Sequence, residues 1–508
     1  MQQIDRAHGA AAPRAGKGRR GAALAAALAM VGMAAAGAQA PASLPPAVQA
    51  RLAAAGLGDA TLSAVVLPVP DAGAAPVPRL SWQAEARRPA ASLMKLFTTF
   101  TALERLGPAW TWRTPVWLDG ELRDGELRGD LVVRGSGDPA LTAERLWLLL
   151  QDVQRHGVRR ISGDIVLDDS GYALPAADPS RFDGEPLKPY NVQPHALLAA
   201  LGSVGVRFSP VPGQRWARVD AWPDLDGVRW PARIPLAAAA GEAVSACGDW
   251  QAAVRLDLSA PRRPRLDGRY PVGCGEREWR LAWPDPADHA RRLVAATWRG
   301  MGGKLGGSVR TATAHPAVDP SFFFDSPPLA EVVRSINKFS NNTMARALFL
   351  ALGQPADAAV AQPATLEAAR TAVAAHIASR AACGEADLLL DNGSGLSRTE
   401  AASAACLARL LAAAWASPVM PELLSSLPIA AVDGTTRRMN GAAGRAHLKT
   451  GTLDGVVGIA GYVLGDSGRR WIVVGIVHAP DAGAARPALD ALVAWVADDK
   501  GNDKGATR

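Results

Sequence analysis

Recognisable metal-ligand spacing is missing from this 508-residue chain. It has no C-x-x-C, and its eight histidines, His8, His156, His195, His289, His315, His376, His447 and His478, are scattered singly. A zinc site needs ligands paired at short spacing, so these side chains read as ordinary polar residues. A G-x-S-x-G elbow is missing too. Asn392-Gly393-Ser394-Gly395 comes nearest with the wrong spacing, which argues against a histidine-based serine hydrolase. After the N-terminal stretch no apolar run approaches the roughly 20 residues that a membrane-spanning helix takes. Charged residues make up only 20% of the chain. The formal net charge of +7 hints at nucleic acid, but Arg6, Arg14, Lys17, Arg19 and Arg20 against Asp5 supply four of those charges. The +3 left on residues 41–508 makes no case for a nucleic-acid partner.

What is present is globular. Hydrophobic residues reach 48%, which excludes a disordered or collagen-like chain. At roughly 150 residues per domain, the length accommodates about three domains. The N-terminus has the grammar of an export signal: a basic stretch (Arg14, Lys17, Arg19, Arg20), an Ala-rich apolar stretch from Gly21 to Gly37, and an A-x-A site at Ala38-Gln39-Ala40. Cleavage after about Ala40 puts the mature chain in the periplasm, with no stable membrane anchor expected. The four cysteines, Cys247, Cys274, Cys383 and Cys406, fit an oxidising compartment. Three connectivities are open to them, and local pairing of Cys247 with Cys274 and Cys383 with Cys406 is the simplest.

Periodicity separates the chain into regions. Thr61 to Val69 and Leu80 to Gln83 read as strands. Ser92 then opens a helix with apolar residues at Leu93, Leu96, Phe97, Phe100, Leu103 and Leu106, stopped by Gly107-Pro108. From about 113 to 315 the chain is rich in Gly, Pro, Asp and Arg, with short strands at Leu131–Arg134 and Ile165–Asp168. The last third resumes long patterns: helices at Leu329–Phe339 and Asn342–Leu352, strands at Leu448–Thr452, Val456–Leu464 and Trp471–Val477, and a closing helix. Strands at both ends with helices between them indicate one α/β domain interrupted by a long insertion.

Three short motifs carry chemistry. In Ser92-Leu93-Met94-Lys95 the serine and lysine lie three apart on a helix, about 5–6 Å between Cβ atoms. A lysine amine with a lowered pKa can take the serine proton and make a nucleophile of it. Ser335-Ile336-Asn337-Lys338 repeats the pattern, and either copy alone reads more readily as a helix cap with a surface lysine. Lys449-Thr450-Gly451-Thr452 lies on a strand. Its lysine suits a carboxylate, Gly451 admits a close chain, and the Thr452 N–H with that of Ser92 suits an oxyanion. Ser340-Asn341-Asn342 precedes a helix, where N-capping is the plain alternative. Ser335-Ile336-Asn337 is also S-x-N, so spacing alone does not choose between them, although Ser340 at a helix end is better placed to face a cleft.

S-x-x-K, S-x-N and K-T-G in this order are the signature of penicillin-binding proteins and serine β-lactamases. With the stretches LVVRGSGDPAL (131–141), INKFSNNTMA (336–345) and DNGSGLSR (391–398), the chain resembles the D-alanyl-D-alanine carboxypeptidase/endopeptidases of the penicillin-binding protein 4 type. The INKFSNN run selects Ser340 and Asn342 over Ser335. The resemblance implies an α/β (α+β) transpeptidase/β-lactamase-like fold, with an antiparallel sheet between helix layers and a large, mostly β insertion. Residues 41–112 and 316–508 would form the catalytic domain, 113–194 and 284–315 the inserted domain, and 195–283 a nested subdomain. It also implies a serine DD-peptidase that acts on peptidoglycan stem peptides and cross-links, needs no cofactor or metal, and is inhibited by β-lactams. Ser92 would attack and Lys95 serve as base. Ser340 with Lys449 would protonate the leaving amine, and Lys449 with Thr450 would hold the terminal carboxylate. Asn342 would orient the acyl-side amide. Asp168 (or the adjacent Asp169) and Arg398 would bind the zwitterionic end of meso-diaminopimelate. A β-lactamase is the rival, though 244 residues between Lys95 and Ser340 exceed what a compact one uses. A non-catalytic cell-wall binding protein is the other alternative, and the intact triplet argues against it.

Overall fold

The computed structural model describes residues 43–69, 76–237, 247–314, 316, 318–354 and 362–501. The expected export signal, residues 1–40, lies outside the described residues.

Both ends of the chain meet in one antiparallel sheet. Its strands run in the order Ala446–Leu453, Val456–Leu464, Arg470–His478, Leu62–Pro68, Leu80–Trp82. Leu62 stands opposite Val477 and Pro68 opposite Trp471. The two middle strands of the C-terminal hairpin pair are buried almost end to end, because helices cover both faces. On one face, Val48 and Leu52 of helix Pro46–Ala54 pack with Leu489, Leu492 and Val496 of helix Arg486–Ala497. On the other lies a helical layer that includes Lys95–Leu106, Leu329–Phe339, Asn342–Ala351 and Ala404–Trp415. Phe97, Phe100 and Leu103 of the first of these are fully buried against Val333, Ile336, Leu348 and Phe349. Truncating either phenylalanine to alanine would cost about 3–5 kcal/mol. This helix is buried on nearly every side from Lys95 to Leu103, so it forms the core of its layer and holds its first turn against the sheet.

The interrupting segment builds sheets of its own. Arg113–Arg123 and Glu126–Arg134 form a hairpin turned at Asp124 and Gly125, both with positive φ, as a tight hairpin turn requires. The sequence shows only the apolar end of the second strand, since its first half is interrupted by charged residues, of which Arg128 is exposed. Helix Ala143–Arg155 then crosses over to Ile165–Asp168, which pairs parallel to Leu131–Arg134. A four-stranded sheet of Ser203–Pro210, Trp216–Trp222, Arg233–Pro235 and Arg277–Ala282 follows. Both sheets contribute to one hydrophobic cluster, in which Leu131, Leu150 and Ile165 join Phe208, Tyr270 and Leu281. Strand Phe322–Asp325 pairs with Arg113–Val116, so the inserted sheet runs past residue 315, where the sequence places its end. Disulfides join Cys247 to Cys274 and Cys383 to Cys406.

Candidate active site

The nucleophile motif occupies a 3-10 turn, Ala91–Met94, that leads into the helix starting at Lys95. Ala91 has φ +48°, a strained value of the kind that clusters at functional sites. Ser92 does not cap the helix. Its Oγ accepts a 2.9 Å hydrogen bond from Lys95 Nζ. Lys95 is no surface lysine either, being fully buried. Its amine also donates to Asn342 Oδ1 at 2.6 Å and to the Ser394 carbonyl. Burial pushes its pKa well below the ordinary lysine value; the nearby Lys449 and Arg346 cations lower it further, and only the Glu400 carboxylate raises it. An amine with a lowered pKa gives up one of these protons readily and can then turn its lone pair to the serine hydroxyl, which is what proton abstraction needs.

Helix Leu329–Phe339 ends at Ser340, whose φ of +56° turns the chain so that the next helix starts at Asn342. The consecutive asparagines divide two tasks. Asn341 caps that helix through Oδ1 to the Met344 N–H at 3.0 Å, which leaves the Asn342 side chain for Lys95. Capping and chemistry thus coexist in one S-N-N.

The third motif lies on Ala446–Leu453, the edge strand of the central sheet. Pro428 and Ala430 cover the start of that edge through Leu448 N to Pro428 O and Ala430 N to Ala446 O, both 2.9 Å. Past Leu448 the strand borders the cleft, an edge on which an extended peptide can lie. Lys449 is fully buried and donates to Ser340 Oγ at 2.9 Å and to the Thr450 carbonyl at 2.7 Å. Burial brings its pKa down to about 7. Thr450 Oγ1 donates to Thr435 Oγ1 at 2.7 Å. A Cβ on Gly451 would stand 2.9 Å from the Ala90 carbonyl, so a side chain there would push the strand off the nucleophile turn.

All three motifs therefore meet in one cleft. One lobe, about 510 Å³, is lined by Ser92, Ser340, Thr435, Thr450, Gly451 and Thr452. A second, about 550 Å³, runs from Ser92, Asn342 and Thr452 to Tyr190, Trp222 and Arg280 of the inserted segment. The duplicate S-x-x-K serves packing instead. Lys338 pairs with Asp433 at 2.6 Å, and Asn337 donates to Thr99 and Ser426 hydroxyls.

Among the described residues no hydrogen bond or ion pair joins Asp168 to Arg398. Asp168 is fully buried, accepts from the Ser170 N–H at 2.9 Å and lies 3.8 Å from Arg134 Nε. The Arg398 guanidinium lies over the Phe182 ring at 4.6 Å. Neither lines either lobe. The carboxylate that feels the Arg398 charge is Asp183. Partial burial raises its pKa, but hydrogen bonds from Tyr190 and Asn191, the Glu185 N–H and Arg398 outweigh this and hold it below the usual range. Sequence reasoning passed over Asp183 because nothing in a Gly/Pro/Asp-rich loop marks one acid from the next.

It also passed over Glu400, two residues beyond DNGSGLSR. Its buried carboxylate accepts from the backbone N–H groups of Asp391, Asn392 and Gly393 through Oε1 at 3.0, 2.9 and 2.6 Å, and of Gly395 through Oε2 at 2.7 Å. No sequence spacing announces such a contact, since the partners are main-chain atoms.

Comparisons with known proteins agree with this geometry. Residues 49–499 match the D-Ala-D-Ala carboxypeptidase 3 (S13) family. A D-alanyl-D-alanine carboxypeptidase of Actinomadura sp. (strain R39) is 31% identical over 433 residues, 81% of this chain and 77% of that one. The D-alanyl-D-alanine carboxypeptidase DacB of Haemophilus influenzae is 25% identical over 77% of this chain and 81% of its own. The crystal structure of penicillin binding protein 4 from Haemophilus influenzae superposes with a TM-score of 0.67 at 20% identity, covering 85% of this chain and 96% of that one. That likeness fixes the fold as the penicillin-binding protein type. The chain belongs to the D-Ala-D-Ala carboxypeptidase 3 (S13) family and is a serine-type peptidase.

Proposed function

We propose that this chain is an exported DD-peptidase that cleaves D-Ala-D-Ala ends, and D-Ala–diaminopimelate cross-links, of peptidoglycan through an acyl-enzyme on Ser92. One observation carries the reading: two serines that line one cleft beside a strand edge are each backed, at 2.9 Å, by a fully buried lysine. The stem peptide lies along Thr450–Thr452, its terminal carboxylate at Lys449 and Thr450. Ser92 Oγ attacks the penultimate D-Ala carbonyl as its proton passes to the neutral Lys95 amine. The Ser92 and Thr452 N–H groups meet the oxyanion that forms; losing one such donor typically costs about 100- to 1,000-fold. The C–N bond then breaks, and the leaving amine takes a proton through Ser340, backed by Lys449. The proton that Lys95 took from Ser92 refills Lys449, and Lys95, neutral again, takes one from the water that attacks the ester and returns it to Ser92 Oγ as the acyl group leaves.

The same reading extends to the diaminopimelate side chain, whose distal centre carries an ammonium and a carboxylate. Arg398 offers the fork that suits a carboxylate, and Asp183 offers the acid. Tyr190 connects them to the cleft: its hydroxyl donates to Asp183 at 2.8 Å while its ring lines the second lobe. A β-lactam presents a similar strained amide beside a carboxylate and would acylate the same serine.

The test is product analysis. The mature protein should release free D-alanine from a pentapeptide stem and convert cross-linked muropeptide dimers to monomers, and both should stop in Ser92→Ala. Release of neither product from the parent protein would sink the reading.

A further inference from the structure

We infer that Glu400 is a positioning residue for acylation: its carboxylate gathers the Asp391–Gly395 loop and so sets the Ser394 carbonyl against the Lys95 amine. The inference rests on the proposed role of Ser92 and Lys95 and adds a residue outside the three motifs.

The geometry is specific. Four backbone N–H groups from five consecutive residues converge on one side chain, at 2.6 to 3.0 Å. Every partner is a donor, which is the arrangement an ionised carboxylate takes, while a protonated one would have a hydrogen with nowhere to go. Burial pushes the Glu400 pKa up, and three of these N–H groups pull it back. The gathered loop then meets the nucleophile helix at three places. Gly393 O accepts from Thr98 Oγ1 at 2.7 Å. Ser394 O accepts from Lys95 Nζ. Gly395, at φ +79°, lies so close that a Cβ there would stand 1.9 Å from the Ala91 carbonyl and 2.8 Å from the Ser92 nitrogen. The loop is therefore pressed against the nucleophile turn itself.

Glu400 also balances charge. Lys95 is faced by two cations, Lys449 and Arg346, and by one anion, Glu400. Around Glu400 itself stand Asp391 and the Arg346 guanidinium. The carboxylate thus holds the Lys95 pKa above where burial and the two cations alone would leave it. Removing the charge while keeping the shape should lower that pKa. Glutamine does this and also turns an N–H₂ group toward the Gly395 N–H, donor against donor.

The experiment measures the second-order rate of penicillin acylation against pH in the parent, Glu400→Gln and Glu400→Asp, with thermal unfolding as the check on folding. Glu400→Gln should lower the plateau by at least about tenfold, as a small misplacement of a catalytic group does, and move the midpoint of the rising limb to lower pH. Glu400→Asp keeps the charge but is one carbon short, so its plateau should fall with its midpoint unmoved. A folded Glu400→Gln with the parent midpoint overturns the proposal, whatever its plateau, because a merely structural role would not shift a titration. Should Glu400→Gln fail to fold, parent-level acylation in Glu400→Asp overturns it. Absence of acylation in the parent would instead overturn the peptidase reading and this proposal with it.

Discussion

Lys449 donates a 2.9 Å hydrogen bond to the Ser340 hydroxyl from a fully buried position, and burial alone brings its pKa to about 7. An amine poised there is a cation below that pH and neutral above it. The position suits a group that must both attract a carboxylate and pass on a proton.

The pH profile follows from the two lysines. Lys95 works as the neutral amine, so kcat/KM on D-Ala-D-Ala peptides should rise as pH climbs through its lowered pKa. Lys449 works as the cation, so kcat/KM should fall as pH passes about 7, by up to about tenfold per unit on the descending limb. Measurement of kcat/KM between about pH 5 and pH 10 on the free enzyme checks both limbs. A level profile through the alkaline range would contradict the assignment of Lys449.

Gly395→Ala should damage the site from its backbone. The added Cβ would meet the Ala91 carbonyl at 1.9 Å, and φ at +79° is unfavourable for any side chain. We expect a stability loss of about 2–4 kcal/mol together with slower acylation, read by thermal unfolding and labelling kinetics. A variant as stable as the parent would mean that the loop does not press on the nucleophile turn.

Arg398→Ala and Asp183→Ala should lower kcat/KM on diaminopimelate-containing peptides, each by about 10- to 100-fold for the loss of a charge-assisted contact. Penicillin acylation should be spared, because penicillin lacks that group. Asp168→Ala should instead lower stability, since its carboxylate is buried beside Arg134. Equal losses on peptides and on penicillin would place Arg398 and Asp183 elsewhere than in a side-chain pocket.

The disulfides should separate in their consequences. Cys383 and Cys406 lie in the cluster that surrounds the nucleophile helix, whereas Cys274 lies in the cluster of the insertion. Replacing Cys383 and Cys406 by alanine should destabilise the catalytic layer by about 2–4 kcal/mol and depress acylation near the unfolding transition. Replacing Cys247 and Cys274 should leave penicillin acylation close to the parent rate. Labelling rates measured against temperature distinguish the two, and the opposite order would contradict this division.

Much of this site is written in the sequence, and the part that is not has a physical reason. The central strands are legible because both faces are covered, which leaves unbroken runs such as Val456–Leu464. The choice between Ser92 and Ser335 is not legible from spacing. It is made by burial and by distant partners: Lys95 finds Asn342 across 247 residues, while Lys338 finds Asp433. Glu400 was invisible because its partners are backbone N–H groups, which every residue carries. The surroundings of Asp168 are not legible either, because a strand-end acid looks the same in sequence whether it faces a cleft or an internal arginine.

The central claim is that Ser92 is the nucleophile that Lys95 activates. The most direct measurement incubates the mature protein with a fluorescent penicillin and maps the labelled peptide by mass spectrometry. The account predicts one long-lived adduct on Ser92, lost in Ser92→Ala and retained in Ser335→Ala. An adduct that survives Ser92→Ala, or rapid penicillin turnover without any lasting adduct, would contradict it.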